Sequence, residues 1–344
     1  NDNDTIIVNN GYYNGPHNNG LEISKNNLNI IGCENTVFTG QNYENFFKIT
    51  GNNITVKGIT FTEGYGGITV NKDASLKIMD SKFIENSGIN GICIDNHGNL
   101  TVISSYFSNN TAIRDAGCIS SLERSHTTII NSTFEFNSAG RNGGALKIND
   151  SYADIFNCSF INNTASGNDN YGGAVYHWTG ITRIYNSSFI NNTAGRCGGA
   201  VYTNGKNGYG IFESYNCEYL NNTSPEGGAI YIRSTEGQIN YCGFINNTNT
   251  IYYENFKEKM DLNWWANNNP NFSNLINGQI SIKNYAAVKL NMDSEAKVNT
   301  PVSINLIWNN AVFKRNAIFK STGGDISGNI FTTNTSGKYV ITAI

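Results

Sequence analysis

The His side chains of this 344-residue chain are the first candidates for acid–base or metal chemistry. His97 and His126 lie 29 residues apart and would be neighbours if the chain repeats at about that interval, but two His alone make a poor zinc site. Arg114 and Asp115 are adjacent and of opposite charge, which is typical of a solvated turn. We expect these residues to lie in surface turns, and we predict no catalytic residue, no metal and no cofactor.

The 26 acidic residues decide whether hydrolase or lyase chemistry is available. A glycoside hydrolase needs two carboxylates that converge, and a calcium site needs several. Asp73, Asp80, Asp150, Asp154 and Asp169 are scattered and form no obvious column. The chain is therefore predicted not to be an enzyme, although a carbohydrate-active lyase or hydrolase is kept as an alternative.

The seven cysteines could serve as metal ligands, as disulfides or as small core residues. None lies in a C-x-x-C motif, and the odd number leaves at least one without a disulfide. Burial as small apolar side chains is the favoured interpretation. A disulfide between Cys217 and Cys242 stays open, since these two fall in successive repeats.

Composition narrows the class of protein further. The chain has 60 Asn, 36 Gly and 55 Ser plus Thr, whereas only 14% of its residues are charged. Residues that build long helices are scarce, and an aromatic content of 12% argues against disorder. The net charge of −3 gives no basis for binding nucleic acid. No apolar run is long enough to span a bilayer.

An aromatic residue followed three positions later by Asn recurs every 24–30 residues. The aromatic positions are Phe83, Phe107, Phe134, Phe160, Phe189, Tyr219 and Phe244. The Asn positions are Asn86, Asn110, Asn137, Asn163, Asn192, Asn222 and Asn247. A second motif, G-G-A-[ILV], lies between them, as in Gly172-Gly173-Ala174-Val175. Short β-rich segments at this drifting period predict an all-β fold, a parallel β-helix of about nine to ten coils.

Equivalent residues of stacked coils lie about 4.8 Å apart, so each repeated position becomes a column. The aromatic column is expected to form an internal stack. Two residues before it lies a column of small residues, which includes Cys158, Cys217 and Cys242. The Asn column predicts a turn ladder, because Asn tolerates left-handed backbone and its amide can bond the Asn above.

Tyrosines at one position of three successive coils form the predicted ligand-binding site. Tyr176, Tyr202 and Tyr231 follow the G-G-A-[ILV] motif, and Lys147 occupies the same column one coil earlier. A Lys should point outward, so the three Tyr are expected to form an exposed ladder, with Tyr171 and Trp178 nearby. Such a strip would suit a sugar chain or a protein partner, although stacking that only stabilises the sheet is the alternative.

Three regions are predicted along the chain. Residues 1–250 carry the β-helix, and 251–279 form an aromatic-rich cap or connector in which Trp264 and Trp265 either cover the open end of the helix or stack on carbohydrate. In 280–344 the apolar residues alternate with period two, with strands expected at 288–292, 302–306, 311–319, 329–331 and 338–343. This region predicts a short Ig-like β-sandwich, with five visible strands where a full domain has about seven.

The combined motifs resemble the repeats of polymorphic outer-membrane adhesins, and more closely the adhesin-like surface proteins of methanogenic archaea. Their opening is similar to Asp4-Thr5-Ile6-Ile7-Val8 with Leu28-Asn29-Ile30-Ile31-Gly32 downstream, and their segment after the helix to Leu262-Asn263-Trp264-Trp265 with Asn268-Asn269-Pro270. The likeness covers essentially the whole chain and departs at Gly64, where the motif has Asn. It implies a right-handed β-helix, secretion, surface display and adhesion, with no catalytic residues.

These observations lead to a non-enzymatic, extracellular, cell-surface adhesin-like protein that attaches to a glycan or protein of another cell. One alternative is a subunit of an extracellular filament that self-associates through the β-helix ends or by strand addition. N-x-[ST] sequons make N-glycosylation plausible, for example at Asn99, Asn131, Asn186 and Asn222.

Overall fold

The computed structural model describes residues 2–15, 17–40, 45–167, 169–206, 209–255, 259–278, 282, 284–309 and 318–343. These residues form a parallel β-solenoid of about ten coils, which confirms the predicted fold class, followed by small antiparallel sheets. Each coil passes in turn through a first, a second and a third sheet, and every sheet stacks the equivalent strands of successive coils.

The strands of the first sheet form one outer face of the solenoid. They are Thr5–Val8, Asn29–Gly32, Ile54–Lys57, Ser75–Met79, Asn99–Ile103, His126–Ile130, the C-terminal parts of Leu146–Phe156 and Val175–Tyr185, Gly210–Tyr215, Thr235–Asn240 and Lys259–Asp261. The second sheet consists of Gly11–Tyr13, Thr36–Thr39, Thr60–Thr62, Lys82–Ile84, Tyr106–Ser108, Thr133–Glu135, Ser159–Ile161, Ser188–Ile190, Glu218–Leu220 and Gly243–Ile245.

The third sheet closes each coil. It consists of Leu21–Ile23, Phe47–Ile49, Ile68–Val70, Ile94–Asn96, Ile119–Ser121, the N-terminal parts of the two long strands Leu146–Phe156 and Val175–Tyr185, Val201–Asn204, Ile230–Arg233, Ile251–Glu254 and Ile276–Asn277. A short ladder between the second and third sheets is made of Ser87–Gly88, Thr111–Ala112, Ser138–Ala139, Thr164–Ala165 and Thr193–Ala194.

Inward and outward residues alternate along each strand because successive side chains of a β-strand point to opposite faces. In Ser75–Met79, Leu76 and Ile78 are buried, whereas Lys77 is exposed. The aromatic column forms the predicted internal stack, and Phe107 lies parallel to Phe134 with their ring centres 4.5 Å apart. The interior of the solenoid is thus a continuous apolar core.

The Asn column lies at the turn after the second sheet and is buried over most of its length. The backbone N–H and the side-chain amide of Asn137 both donate to Oδ1 of Asn163, at 3.1 and 3.0 Å. The same amide also donates to the carbonyl of Phe107 in the previous coil, at 3.0 Å. Because this pattern repeats from Asn86 to Asn247, side chains continue the backbone hydrogen bonding of the sheets through a turn.

Parallel pairing continues past residue 250, where the β-helix was predicted to end. Ile251–Glu254 pairs with Ile230–Arg233, and Ile276–Asn277 pairs with Ile251–Glu254 in turn. Trp265 is 3% exposed and stacks on Phe244 with ring centres 4.8 Å apart. Phe272, in the short helix Phe272–Leu275, meets the ring of Trp265 edge-on at 5.6 Å. The segment after residue 250 therefore extends the solenoid while Trp265 covers its aromatic stack.

Antiparallel strands follow the solenoid, and they are compatible with a small β-sandwich. Their bounds are Val288–Asn291, Val302–Ser303, Asn305–Trp308, Phe319–Ser321, Asp325–Ser327, Ile330–Thr332 and Ile341–Ala343. Val302, Ile304 and Phe331 form a separate buried cluster between them. The strand expected at 311–319 lies mostly outside the described residues.

One of the four histidines lies inside the solenoid. His177 is fully buried, and its Nδ1 is 2.8 Å from the hydroxyl of Thr203. Burial lowers the pKa of His177 to about 4, because the charged imidazolium cannot be hydrated there. The folded chain therefore keeps this side chain neutral at pH values at which the unfolded chain would protonate it.

Asn163→Ala tests the Asn ladder. The substitution leaves the amide and N–H of Asn137 and the carbonyl of Phe134 without this partner in a buried turn, so we expect the free energy of unfolding to fall by about 2–4 kcal/mol. Asn162→Gly is the matched control, because its φ of 54° suits glycine. Equal losses in urea denaturation of the two variants would contradict a structural role for the ladder.

Stability should also depend on the protonation of His177. Its folded pKa lies below the ordinary value of 6.5, so the contribution is complete above about pH 6.5 and is lost as the pH falls towards 4. The expected loss is on the order of 3 kcal/mol. Urea denaturation at pH 7 and pH 4.5 should show a smaller difference for His177→Leu than for the wild type. The exposed His126→Gln should behave as wild type, and an unchanged pH dependence in His177→Leu would refute the assignment.

Candidate functional site

The predicted tyrosine ladder of Tyr176, Tyr202 and Tyr231 is present as a stack on the third sheet. The ring centres of Tyr176 and Tyr202 are 5.3 Å apart, and those of Tyr202 and Tyr231 are 5.2 Å apart. The prediction that these rings are exposed is wrong, because the three residues are only 8%, 4% and 6% exposed. Their side chains form a second buried cluster outside the main core.

Loops fold over the tyrosine ladder and exclude solvent from it. Tyr171 packs on Tyr202 with ring centres 4.8 Å apart, and the buried Cys197 belongs to the same cluster. Trp178 stacks beside Tyr176 at 6.3 Å. Burial raises the pKa of Tyr202 to about 12, so its hydroxyl stays protonated. The residues of this cluster pack on one another and on the covering loops, so a ligand has little access to the three rings of the tyrosine ladder.

A different set of aromatic side chains is accessible on the outer face of the first sheet. Phe156, Tyr185 and Tyr215, named here the outer aromatic ladder, occupy one register position of three successive strands. Their ring centres are 5.3 and 6.3 Å apart, and all three are half-buried. Tyr241 extends the ladder, 4.9 Å from Tyr215. This ladder was not among the predicted sites, although its three members lie two positions before the small residues Cys158, Ser187 and Cys217.

A row of charged residues lies beside the outer aromatic ladder on the same face. Arg183 is within 3.5 Å of Asp154 in the previous coil and donates from Nε to Glu213 in the next coil at 3.1 Å. Glu213 also accepts a hydrogen bond from the hydroxyl of Tyr185 at 3.1 Å. Burial, followed by the charge of Glu213, raises the pKa of Tyr185. These bonds restrict the orientation of the Tyr185 ring.

An open groove of about 600 Å³ lies at the opposite edge of this outer face, where the chain turns from the third sheet into the first. Its apolar lining includes Tyr152 and Tyr209, which are 37% and 79% exposed, together with Ile181 and Ile211. Its charged lining is Arg124, Asp150, Lys206 and Glu236. Within the described residues, no ion pair joins any of these four to another side chain. The groove therefore combines accessible aromatic surface with available donors and acceptors.

The two histidines considered for metal chemistry, His97 and His126, contact different residues. His97 contacts Asp95 at 3.2 Å and Glu123 at 3.3 Å. Burial disfavours its charged form, but the two carboxylates outweigh this and raise the pKa of His97. His126 instead stacks on Tyr152 with ring centres 4.5 Å apart. In the described part of the chain, no three His, Cys, Asp or Glu side chains are grouped so that they could hold a metal ion.

Three of the five aspartates considered for hydrolysis have a cationic partner. Asp80 pairs with Lys57 at 3.5 Å, Asp154 with Arg183 at 3.5 Å and Asp169 with Arg196 at 2.9 Å. Asp115, which was expected in a solvated turn, pairs with Lys147 at 2.9 Å. The carboxylates of Asp115 and Asp169 lie on different parts of the solenoid from the groove residue Asp150.

No disulfide joins Cys217 to Cys242, or any other two of the seven cysteines. All are buried except the half-buried Cys33, and burial raises the pKa of the Cys158 thiol to about 12. The open possibility of a bond between the two neighbouring cysteines is therefore not realised here, and six of the seven thiols are buried.

Three of the predicted glycosylation sites are accessible, and one is not. Asn99, Asn131 and Asn186 are exposed. Asn222 is fully buried, and its amide donates to the carbonyl of Phe189 and to Oδ1 of Asn247, both at 2.9 Å. The prediction at Asn222 is therefore wrong for the folded chain, because its amide is a member of the Asn ladder.

No protein-family model and no curated protein matches the sequence. Among solved structures, the chain is similar to a complex of the alginate lyase AlyF-OU02, with 12% identity and a TM-score of 0.34. The overlap covers 86% of this chain and 84% of that one. A likeness of this size does not carry an activity from that enzyme to this chain.

None of the helices in the described ranges is long and apolar enough to cross a membrane.

Tyr202→Ala should destabilise the solenoid, since it opens a cavity in the buried cluster. We expect the free energy of unfolding to fall by about 3 kcal/mol, measured by urea denaturation. Tyr12→Ala is the control, because Tyr12 is 78% exposed and should lose almost nothing. If Tyr202→Ala unfolds at the wild-type urea concentration, the ladder does not contribute to stability in the way its burial indicates.

Proposed function

We propose that this chain is a non-enzymatic, extracellular, adhesin-like protein whose solenoid presents the outer face of the first sheet to a glycan or protein on another cell. The observation that carries the proposal is the outer aromatic ladder, in which Phe156, Tyr185 and Tyr215 stand half-exposed at regular spacing. Large aromatic rings are well suited to contact surfaces because each offers a large apolar area, and the two tyrosines add a hydroxyl that can hydrogen-bond.

The rigidity of the outer aromatic ladder supports its assignment as the contact surface. Each of the three rings stands on a strand that is hydrogen-bonded to both neighbouring coils, and Tyr185 is further bonded to Glu213. A side chain that is already ordered loses little conformational entropy when it binds, so more of the contact energy remains as affinity. A repetitive contact of this kind fits attachment to an extended surface.

The remaining parts of the proposal follow the resemblance to archaeal adhesin-like proteins. The right-handed solenoid would act as a rod, with regions 1–250 and 251–279 as its body and end. The region 280–344 would be an Ig-like stalk module, for which the small antiparallel sheets provide support. Secretion would expose the sequons at Asn99, Asn131 and Asn186 to glycosylation.

A filament subunit that self-associates by strand addition is the second candidate. Polymers that grow with protein concentration would favour this candidate, whereas a constant monomer would favour the adhesin.

Substitution of the outer aromatic ladder tests the proposed function. Tyr185→Ala and Tyr215→Ala should each weaken attachment of the purified protein by about tenfold, because each removes an ordered aromatic contact. Attachment is measured by flow cytometry on a panel of microbial cells that includes methanogenic archaea.

Leu220→Ala is the matched control. Leu220 lies in the same coil as Tyr215 and is equally half-buried, but it stands on the outer face of the second sheet. It should bind cells as wild type does. If all three variants bind equally well, the outer aromatic ladder is not the contact surface. Depolymerisation of a polysaccharide by the pure protein would contradict the non-enzymatic part of the proposal.

A further inference from the structure

We propose that the groove between Tyr152 and Tyr209 is a binding subsite for a neutral glycan chain. This inference rests on the proposed function, since it names the ligand class that the outer face of the first sheet would recognise. It concerns a different edge of that face from the outer aromatic ladder, so the two can be tested separately.

The apolar lining of the groove fits the faces of sugar rings. Tyr209 is 79% exposed and Tyr152 is 37% exposed, while Ile181 and Ile211 line the groove as well. A pyranose ring has an apolar C–H face and a rim of hydroxyls, and an aromatic ring beside polar groups matches both parts. A hydrophobic peptide would bury the aromatic rings equally well but would leave the charged groups of the groove without partners.

The charged residues of the groove do not favour a charged ligand. Arg124 and Lys206 are positive, and Asp150 and Glu236 are negative, so the four formal charges cancel. An anionic polysaccharide would gain no net attraction from such a site, because a charged ligand is favoured by an excess of the opposite charge. Hydroxyl groups both donate and accept hydrogen bonds, so they can use the cations and the carboxylates together.

The backbone of Tyr209 is hydrogen-bonded to the solenoid. The N–H of Tyr209 donates to the carbonyl of Gly205 at 2.7 Å, and its carbonyl accepts from Gly180 at 3.3 Å. Gly180 has a φ of +83°, and a Cβ there would lie 2.1 Å from the carbonyl oxygen of Ser151, so only glycine permits this close approach of the two coils. The backbone from which the exposed ring projects is therefore hydrogen-bonded to two glycines of the solenoid.

The buried tyrosine ladder also contacts the chain that leads to the groove residue Lys206. The hydroxyl of Tyr202 accepts a hydrogen bond from the amide of Asn204 at 3.1 Å, and Oδ1 of Asn204 accepts from the N–H of Lys206 at 3.0 Å. Tyr202, which sequence analysis assigned to ligand contact, is therefore a positioning residue for the groove. Its hydroxyl acts through Asn204 on the placement of Lys206.

Isothermal titration calorimetry with defined oligosaccharides tests the proposal. The probes are chitohexaose and cellohexaose, which are neutral, and an oligogalacturonate of the same length, which is anionic. We expect the wild type to bind at least one neutral probe and to bind the anionic probe more weakly. Affinity for the neutral probe should change little between low and high salt, because no net charge is neutralised.

The variants separate stacking from positioning. Tyr209→Ala should weaken binding of the neutral probe by about tenfold, whereas Tyr209→Phe should bind nearly as wild type, since the ring remains. Tyr202→Phe keeps the packed ring but loses the hydrogen bond to Asn204, so we expect weaker binding with little change in the thermal midpoint. Leu220→Ala, on the outer face of the second sheet, should leave glycan binding in the groove unchanged.

Two results would overturn the inference. One is tighter, salt-sensitive binding of the anionic probe, which would assign the groove to charged polysaccharides. The other is binding of no oligosaccharide, or binding that Tyr209→Ala does not weaken. If cells still bind through Tyr185 and Tyr215 in that case, the groove proposal fails and the adhesive function stands. If the groove binds glycan but the protein attaches to no cell, the groove proposal stands and the adhesive function fails.

Discussion

The stacking of coils at hydrogen-bonding distance is the constraint on which this molecule depends. Neighbouring parallel strands must lie about 4.8 Å apart, so any residue type that recurs at one position becomes a column of that spacing. The Phe107–Phe134 stack at 4.5 Å and the amide bonds from Asn137 to Asn163 at about 3.0 Å are two results of the same repeat. Deviations in loop length are tolerated as long as this stacking is preserved.

Loop length decides what the outside of the solenoid can do. The longer loops near Tyr171 fold back on the third sheet and bury Tyr202, so those side chains contribute to stability. Over the first sheet the strands stay open, and Phe156, Tyr185 and Tyr215 remain half-exposed. The proposed ligand binding is therefore confined to the outer face of the first sheet. The buried tyrosine ladder on the third sheet instead packs against the loops.

The buried tyrosine ladder is connected to the groove through hydrogen bonds. Tyr202 bonds Asn204, Asn204 bonds Lys206, and Tyr209, whose N–H bonds Gly205, is exposed to solvent. A buried cluster thus helps to position a groove residue, and preorganisation of this kind reduces the entropy lost on binding. The proposed glycan subsite and the proposed cell contact share one rigid scaffold but use different side chains.

The amino-acid sequence alone determined the fold class, the internal aromatic stack and the position of the Asn turn, because each depends on a residue type that recurs at one register position. It did not determine which outward side chains are accessible. Tyr202 and Tyr185 both point outward on strands, yet one is 4% exposed and the other half-exposed. Likewise, Asn222 and Asn186 both carry an N-x-Ser sequon, but Asn222 is fully buried in the Asn ladder whereas Asn186 is exposed. Accessibility depends on which distant loop folds over a position, so only the tertiary structure decided it.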